Sequence, residues 1–224
     1  MRWKHITKID PDRPIDQKMV DAIANSGTDA IMVSGTQGIT REKILRILGM
    51  LKDHDIPKIL EPSSPEVVFF EGFDYVYAPS VMNTKKFEWI LGYHKEWVKH
   101  FPIEWEKVVP EAYIILNGSS AVGRVTGALT EIGKDDVVAY AKVAEMYFGF
   151  PVVYIEYSGR FGDPEVVGGV KDSLRRAKLF YGGGIKNEEQ ARIMSKCADT
   201  IVVGNVIYEL GLEAFLSTVR GAKE

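Results

Sequence analysis

The sequence predicts an α/β protein folded as a (β/α)8 barrel of the TIM type, and three observations predict it. Short apolar runs alternate with helix-patterned segments along 224 residues, a length near the small end for this architecture. The runs are apolar throughout, as strands covered on both faces are. The last two, residues 178–181 and 200–203, stop at the glycines Gly182 to Gly184 and Gly204, with a helix soon after each. Glycine lets backbone approach a ligand with no Cβ in the way, and a nearby helix start adds positive potential. Barrels of this class often hold phosphate in the loops after strands seven and eight.

The chain in order supports the assignment. Residues 4–10 form a first strand, ended by Pro11 and Pro14; helical spacing follows over 15–26 and closes at Gly27. Residues 29–33 are strand two, and Thr40 caps a helix running to 53. Residues 58–61 are strand three. Only about a dozen residues then precede strand four at 75–78, too few for a full crossover helix, so a loop or short turn replaces the third helix. Asn83 or Thr84 caps a long helix to about 100, rich in aromatic residues. Strand five is 111–116, with a glycine-rich loop over 117–127; a helix spans 134–148 and strand six 152–156. Pro164 opens a helix to about 176, suiting its first turn. Segments 188–196 and 212–219 are the last helices. A doubly wound open sheet is the rival arrangement; glycine-rich loops toward both ends of the chain favour closure. No linker or low-complexity tract divides the chain, so a single domain over 1–224 is expected.

Composition narrows the function. A net charge of −3 and a pI near 5.9 give no support to nucleic-acid binding. The one cysteine, Cys197, excludes an intrachain disulfide and fits a reducing interior. No apolar run approaches the ~18 residues of a membrane span, nor does the N-terminus carry a signal-peptide core. A cytoplasmic protein is expected, with peripheral membrane contact left open.

In such a barrel the loops after the strands carry the chemistry. They gather Lys8, Asp10 and Asp12; Ser34 and Thr36; Glu156, Tyr157, Ser158 and Gly159; the glycine triplet; and Gly204 with Asn205. Lys8 could add one charge to the phosphate site. Asp10 reads two ways: a turn residue before proline, or a ligand of Mg2+ with Ser34 or Thr36 nearby and the remaining ligands from water and a diphosphate. Glu156 ends an apolar strand, where desolvation would raise its pKa and suit it to orienting or deprotonating a hydroxyl. Tyr154 and Tyr157 either line the site or pack. None of the four histidines stands at a strand end with a nucleophile, and no Cys/His metal spacing occurs. The aromatics Phe69, Phe70, Phe73, Phe87, Trp89, Tyr93 and Trp97 read first as core, and second as an apolar channel beside the missing helix.

KIDPD (8–12), VSGT (33–36), YIEYSG (154–159), YGGGIK (181–186) and VVGN (202–205) together resemble the geranylgeranylglyceryl phosphate synthases, over essentially the whole chain. The short third unit agrees with that family's barrel. The resemblance implies that Lys8, Tyr154, Ile155, Glu156, Tyr157, Ser158, Gly159, Gly184, Gly204 and Asn205 bind sn-glycerol 1-phosphate. It implies that Asp10 and Ser34 bind Mg2+, with Asp10 and Glu156 central to catalysis. The implied reaction joins the 3-hydroxyl of sn-glycerol 1-phosphate to C1 of geranylgeranyl diphosphate and releases diphosphate. The related heptaprenylglyceryl phosphate synthases share these motifs and take a longer chain. Trp97 is the expected stop of the prenyl channel, and a homodimer is expected. The alternatives are another phosphate-binding barrel enzyme, an isomerase or lyase, and a non-catalytic lipid-binding protein. The former wants a carbonyl-directed acid/base pair or a Schiff-base lysine at a strand end, and Lys58 and Lys178 stand at strand starts.

Overall fold

The computed structural model describes residues 3–224. Its strands, β1 (His5–Ile9), β2 (Ala30–Val33), β3 (Lys58–Leu60), β4 (Tyr75–Val81), β5 (Val108–Ile115), β6 (Val152–Glu156), β7 (Lys178–Gly182) and β8 (Thr200–Val203), follow one another in parallel around a closed barrel. Closure is made by β1 on β8, with Ile6 opposite Val202.

Period-two alternation sorts each strand's side chains into two layers. Ile6, Met32, Tyr77, Tyr113, Tyr154 and Val202 fill the barrel. Ile9, Ile31, Leu60, Ile114, Ile155 and Tyr181 pack outward under the helices. The same parity sends Lys8 and Glu156 inward, toward the end of the barrel at which the strands finish.

The outer helices begin where short polar side chains satisfy their first free N–H groups. Asp16 accepts from Met19 N at 2.8 Å ahead of α1 (Gln17–Ala24), and Thr40 from Lys43 N at 3.3 Å ahead of α2 (Arg41–Met50). Further on come α3 (Tyr93–His100), α4 (Ala121–Thr126), α5 (Lys134–Lys142), α6 (Pro164–Ser173), α7 (Glu188–Cys197), α8 (Asn205–Glu209) and α9 (Leu212–Lys223). Between β3 and β4 the chain makes only a 3-10 turn, Pro65–Val67, as its length requires. Val67, Phe69, Phe70 and Phe73 are buried there and cover the wall in place of a helix. No helix among the described residues is long and apolar enough to cross a membrane.

The structure corrects several boundaries. Asn83 and Thr84 do not cap the long helix, which starts after Lys86 with a π-helical stretch, Glu88–Gly92, ahead of α3. Most of their polar groups are taken by distant backbone: Asn83 bonds Ile115 N and O and Leu129 O, and Thr84 donates to Thr126 O while accepting from the nearby Lys86 N at 3.1 Å. The segment 117–127 holds the short helix α4, capped by Ser120, rather than only a loop. The helix from 134 is α-helical to Lys142 and π-helical from Val143 to Phe148. A short α8 also intervenes before the last helix, which reaches Lys223. Phe87 and Tyr93 are exposed, so they are not core, whereas Trp97 is buried.

Candidate active site

At the strand ends lies a cavity of about 200 Å³, lined by residues from both ends of the chain. Lys8, Asp10, Ser34, Tyr154, Glu156, Ser158, Gly159, Gly184, Gly204 and Asn205, expected from sequence, all line it. Ile155 and Tyr157 do not: the side chains of both point outward into the layer beneath the helices. Being one residue either side of an inward Glu156, they fall on the opposite face.

One wall is the glycine cup. Gly184 has φ +55°, and a Cβ there would run into the backbone of Arg160 and Phe161. A Cβ on Gly204 would come within 2.8 Å of the Lys8 carbonyl oxygen. Both positions therefore require glycine, on backbone conformation and on space respectively. Lys186 pairs with Glu209 at 2.9 Å beside the cup. Arg13 lies over the Tyr208 ring at 4.0 Å, its Nη1 3.4 Å from Asn205 Oδ1.

The floor is a buried polar network that sequence reading only half found. Lys8 Nζ donates to Glu61 Oε2 at 2.8 Å, an ion pair at the cavity floor. Burial works to lower the Lys8 pKa, but Glu61, Glu156 and Glu111 outweigh it and hold the ammonium above its ordinary range. Ser34 Oγ also donates to Glu61 Oε2. Tyr113 stacks on Tyr154 with ring centres 4.5 Å apart, and its hydroxyl lies 3.0 Å from Glu156 Oε2 and 3.3 Å from Glu61 Oε1. Glu156 Oε1 accepts from Ser158 N at 2.5 Å and Ser158 Oγ at 2.9 Å. Burial pushes the Glu156 carboxyl above the usual carboxylate range, against the opposing pull of Lys8 and Ser158.

Glu61, Tyr113 and Tyr208 were missed. Glu61 follows apolar strand KIL as Glu156 ends VVYI, so the strand-end rule that found one applies equally to the other. Tyr113 required the inward parity of β5. Tyr208 donates and accepts across the Asp10 backbone, 3.1 Å from its N and 3.4 Å from its O, a contact 198 residues apart that no local pattern announces.

Asp10 and Ser34 meet at the same mouth, on the loops after β1 and β2. Asp10 Oδ1 accepts from Asp12 N at 2.9 Å, and burial raises its pKa, an effect that a bound cation would reverse. Among the described residues there is no cluster of three or more His, Cys, Asp or Glu able to cage a metal. One carboxylate and one hydroxyl with open space before them fit an ion such as Mg2+, which takes most ligands from water and substrate phosphates.

A narrower cleft of about 50 Å³ continues the cavity outward, beneath α3 and over the 3-10 turn. Pro62, Ser63, Pro79 and Trp89 line both spaces; Trp97, Val68 and Ala78 line only the cleft. Trp97 stacks on Phe70 at 6.2 Å.

Fold and site together define a parallel (β/α)8 barrel with a glycine cup facing a buried acid. The chain belongs to the PcrB family, whose model matches residues 1–223. It is 48% identical over 223 residues to the geranylgeranylglyceryl phosphate synthase of Methanoculleus marisnigri, covering 99% of this chain and 97% of that one. It is 42% identical over 223 residues to the heptaprenylglyceryl phosphate synthase of Bacillus cereus, covering 99% and 96%. Its fold superposes with a TM-score of 0.83 on (S)-3-O-geranylgeranylglyceryl phosphate synthase from Thermoplasma acidophilum, solved in complex with sn-glycerol-1-phosphate. That match is 27% identical and covers 97% of this chain and 92% of the other.

Proposed function

We propose that this chain is a Mg2+-dependent prenyltransferase that alkylates the 3-hydroxyl of sn-glycerol 1-phosphate with geranylgeranyl diphosphate. The observation that carries the reading is the placement of a buried carboxyl, Glu156, in the same cavity as the two-loop glycine cup. A small phosphorylated polyol seated in the cup sets its free hydroxyl against that carboxyl, and the Thermoplasma acidophilum relative takes such a ligand.

In this reading the cup anchors the phosphate, and Glu156 orients the hydroxyl and accepts its proton as the new C–O bond forms. The bond from C1 to the diphosphate oxygen breaks in the same displacement. Fixing both reactants in one cavity supplies the proximity contribution to the rate. Asp10 and Ser34 would hold Mg2+, which supplies neutralising charge for the diphosphate. The cleft toward Trp97 receives the hydrocarbon chain, with Trp97 as its far wall.

The test is incubation of the protein with radiolabelled sn-glycerol 1-phosphate, Mg2+ and a ladder of prenyl diphosphates. The reading expects an ether product, made best at the twenty-carbon length. No labelled lipid at any length would contradict it and favour a binding protein; a water-soluble labelled product would favour an isomerase or lyase.

A further inference from the structure

Tyr113 has one hydroxyl proton and two carboxyl groups that want it. Glu156 Oε2 is 3.0 Å from its oxygen and Glu61 Oε1 is 3.3 Å away. Lys8 Nζ, 3.4 Å away, donates to the same phenol oxygen, so the phenol proton is free to go to a carboxyl. The two Glu156 oxygens are not equivalent. Oε1 already accepts two hydrogen bonds from Ser158, which fills its two lone-pair directions. Among the described residues Oε2 accepts only from Tyr113, which leaves one lone-pair direction open. An incoming hydroxyl is thereby directed to Oε2, the oxygen whose basicity Tyr113 sets.

We propose that Tyr113 is a positioning residue for the proton transfer: its hydroxyl bonds Glu156 Oε2 while that oxygen is the base, and turns to Glu61 Oε1 once Oε2 carries the substrate's proton. This rests on the reading of Glu156 as the proton acceptor. One proton moves from the substrate oxygen to Oε2; the phenol keeps its own and only redirects it. The ring is held for that rotation by its stack on Tyr154. The titratable groups facing the phenol are Lys8 from β1, Glu61 after β3, Glu111 from β5, and Tyr154 and Glu156 from β6. Burial, then Glu61 and Glu156, push the phenol's own pKa well up, so it stays a donor across the working range.

The test compares the acidic limb of the kcat–pH profile in three proteins. Tyr113→Phe keeps the ring stack and removes the donor, so the charged form of Glu156 loses support and the limb moves up by about one pH unit. The same variant lowers kcat about tenfold at neutral pH while KM for glycerol phosphate stays within about twofold. Replacing Tyr113 by 3-fluorotyrosine keeps every contact and strengthens the donor, so the limb moves down. Opposite displacements support the proposal. An active wild type whose limb stays put in both variants overturns this inference alone. A wild type that makes no ether overturns the proposed function and this inference with it.

Discussion

At the scale of single residues, the account depends on Glu156. Its carboxyl is buried, and burial raises its pKa above the usual carboxylate range. In the proposed reading it works as the carboxylate, so the rate should fall as pH drops through that raised value and be full above it. Glu156→Gln keeps the size and the hydrogen bonds to Ser158 in part, but removes the basic oxygen. Steady-state kinetics should show kcat reduced by about 10²–10⁴-fold, with KM for glycerol phosphate little changed. Loss confined to KM would mean that Glu156 only binds. Glu156 was legible in the sequence because a carboxylate closing an apolar strand is costly unless used. Glu61 obeys the same rule, and what hid its role is that its partners Lys8, Ser34 and Tyr113 lie 53, 27 and 52 residues away. Ile155 and Tyr157 belong to the matching motif yet face outward, because motif membership carries no parity.

At the scale of elements, strand positions were the most legible and helix starts the least. β6 and β8 fall on the expected residues because an apolar run flanked by turn residues leaves little choice. The missing third helix followed from chain length alone. The start of the long aromatic helix did not follow, since Asn83 and Thr84 look like caps but spend their side chains on β5 and the α4 region. That late start places Trp89 on both spaces and Trp97 on the narrow one only. If Trp97 closes the channel, Trp97→Ala should shift the preferred substrate toward longer prenyl diphosphates in a competition assay over the same ladder. The truncation removes a buried ring that stacks on Phe70 and would cost about 3–5 kcal/mol of stability, so the assay belongs below the variant's melting transition. An unchanged length preference in a folded variant would place the stop elsewhere.

At the scale of the molecule, the barrel assembles its site from residues far apart in sequence, and closure is what brings them together. β1 on β8 sets Lys8 beneath Gly204, and Tyr208 pins the Asp10 loop from the far end of the chain. On the opposite side of the same seam, His5 is buried and bonds Thr28 at 2.9 Å and Thr218 at 3.2 Å, joining β1 to α9. In the proposed reading the mouth so formed has two halves: the cup with Glu156 would take the nucleophile, and Asp10 with Ser34 would take the diphosphate and its cation. That division is the central claim, and calorimetric titration of sn-glycerol 1-phosphate into wild type and Asp10→Ala tests it most directly. The account predicts a variant without detectable turnover whose Kd for glycerol phosphate stays within about threefold of wild type, a difference of about 0.65 kcal/mol. Parallel loss of binding and turnover would contradict it, because Asp10 would then belong to the glycerol phosphate half.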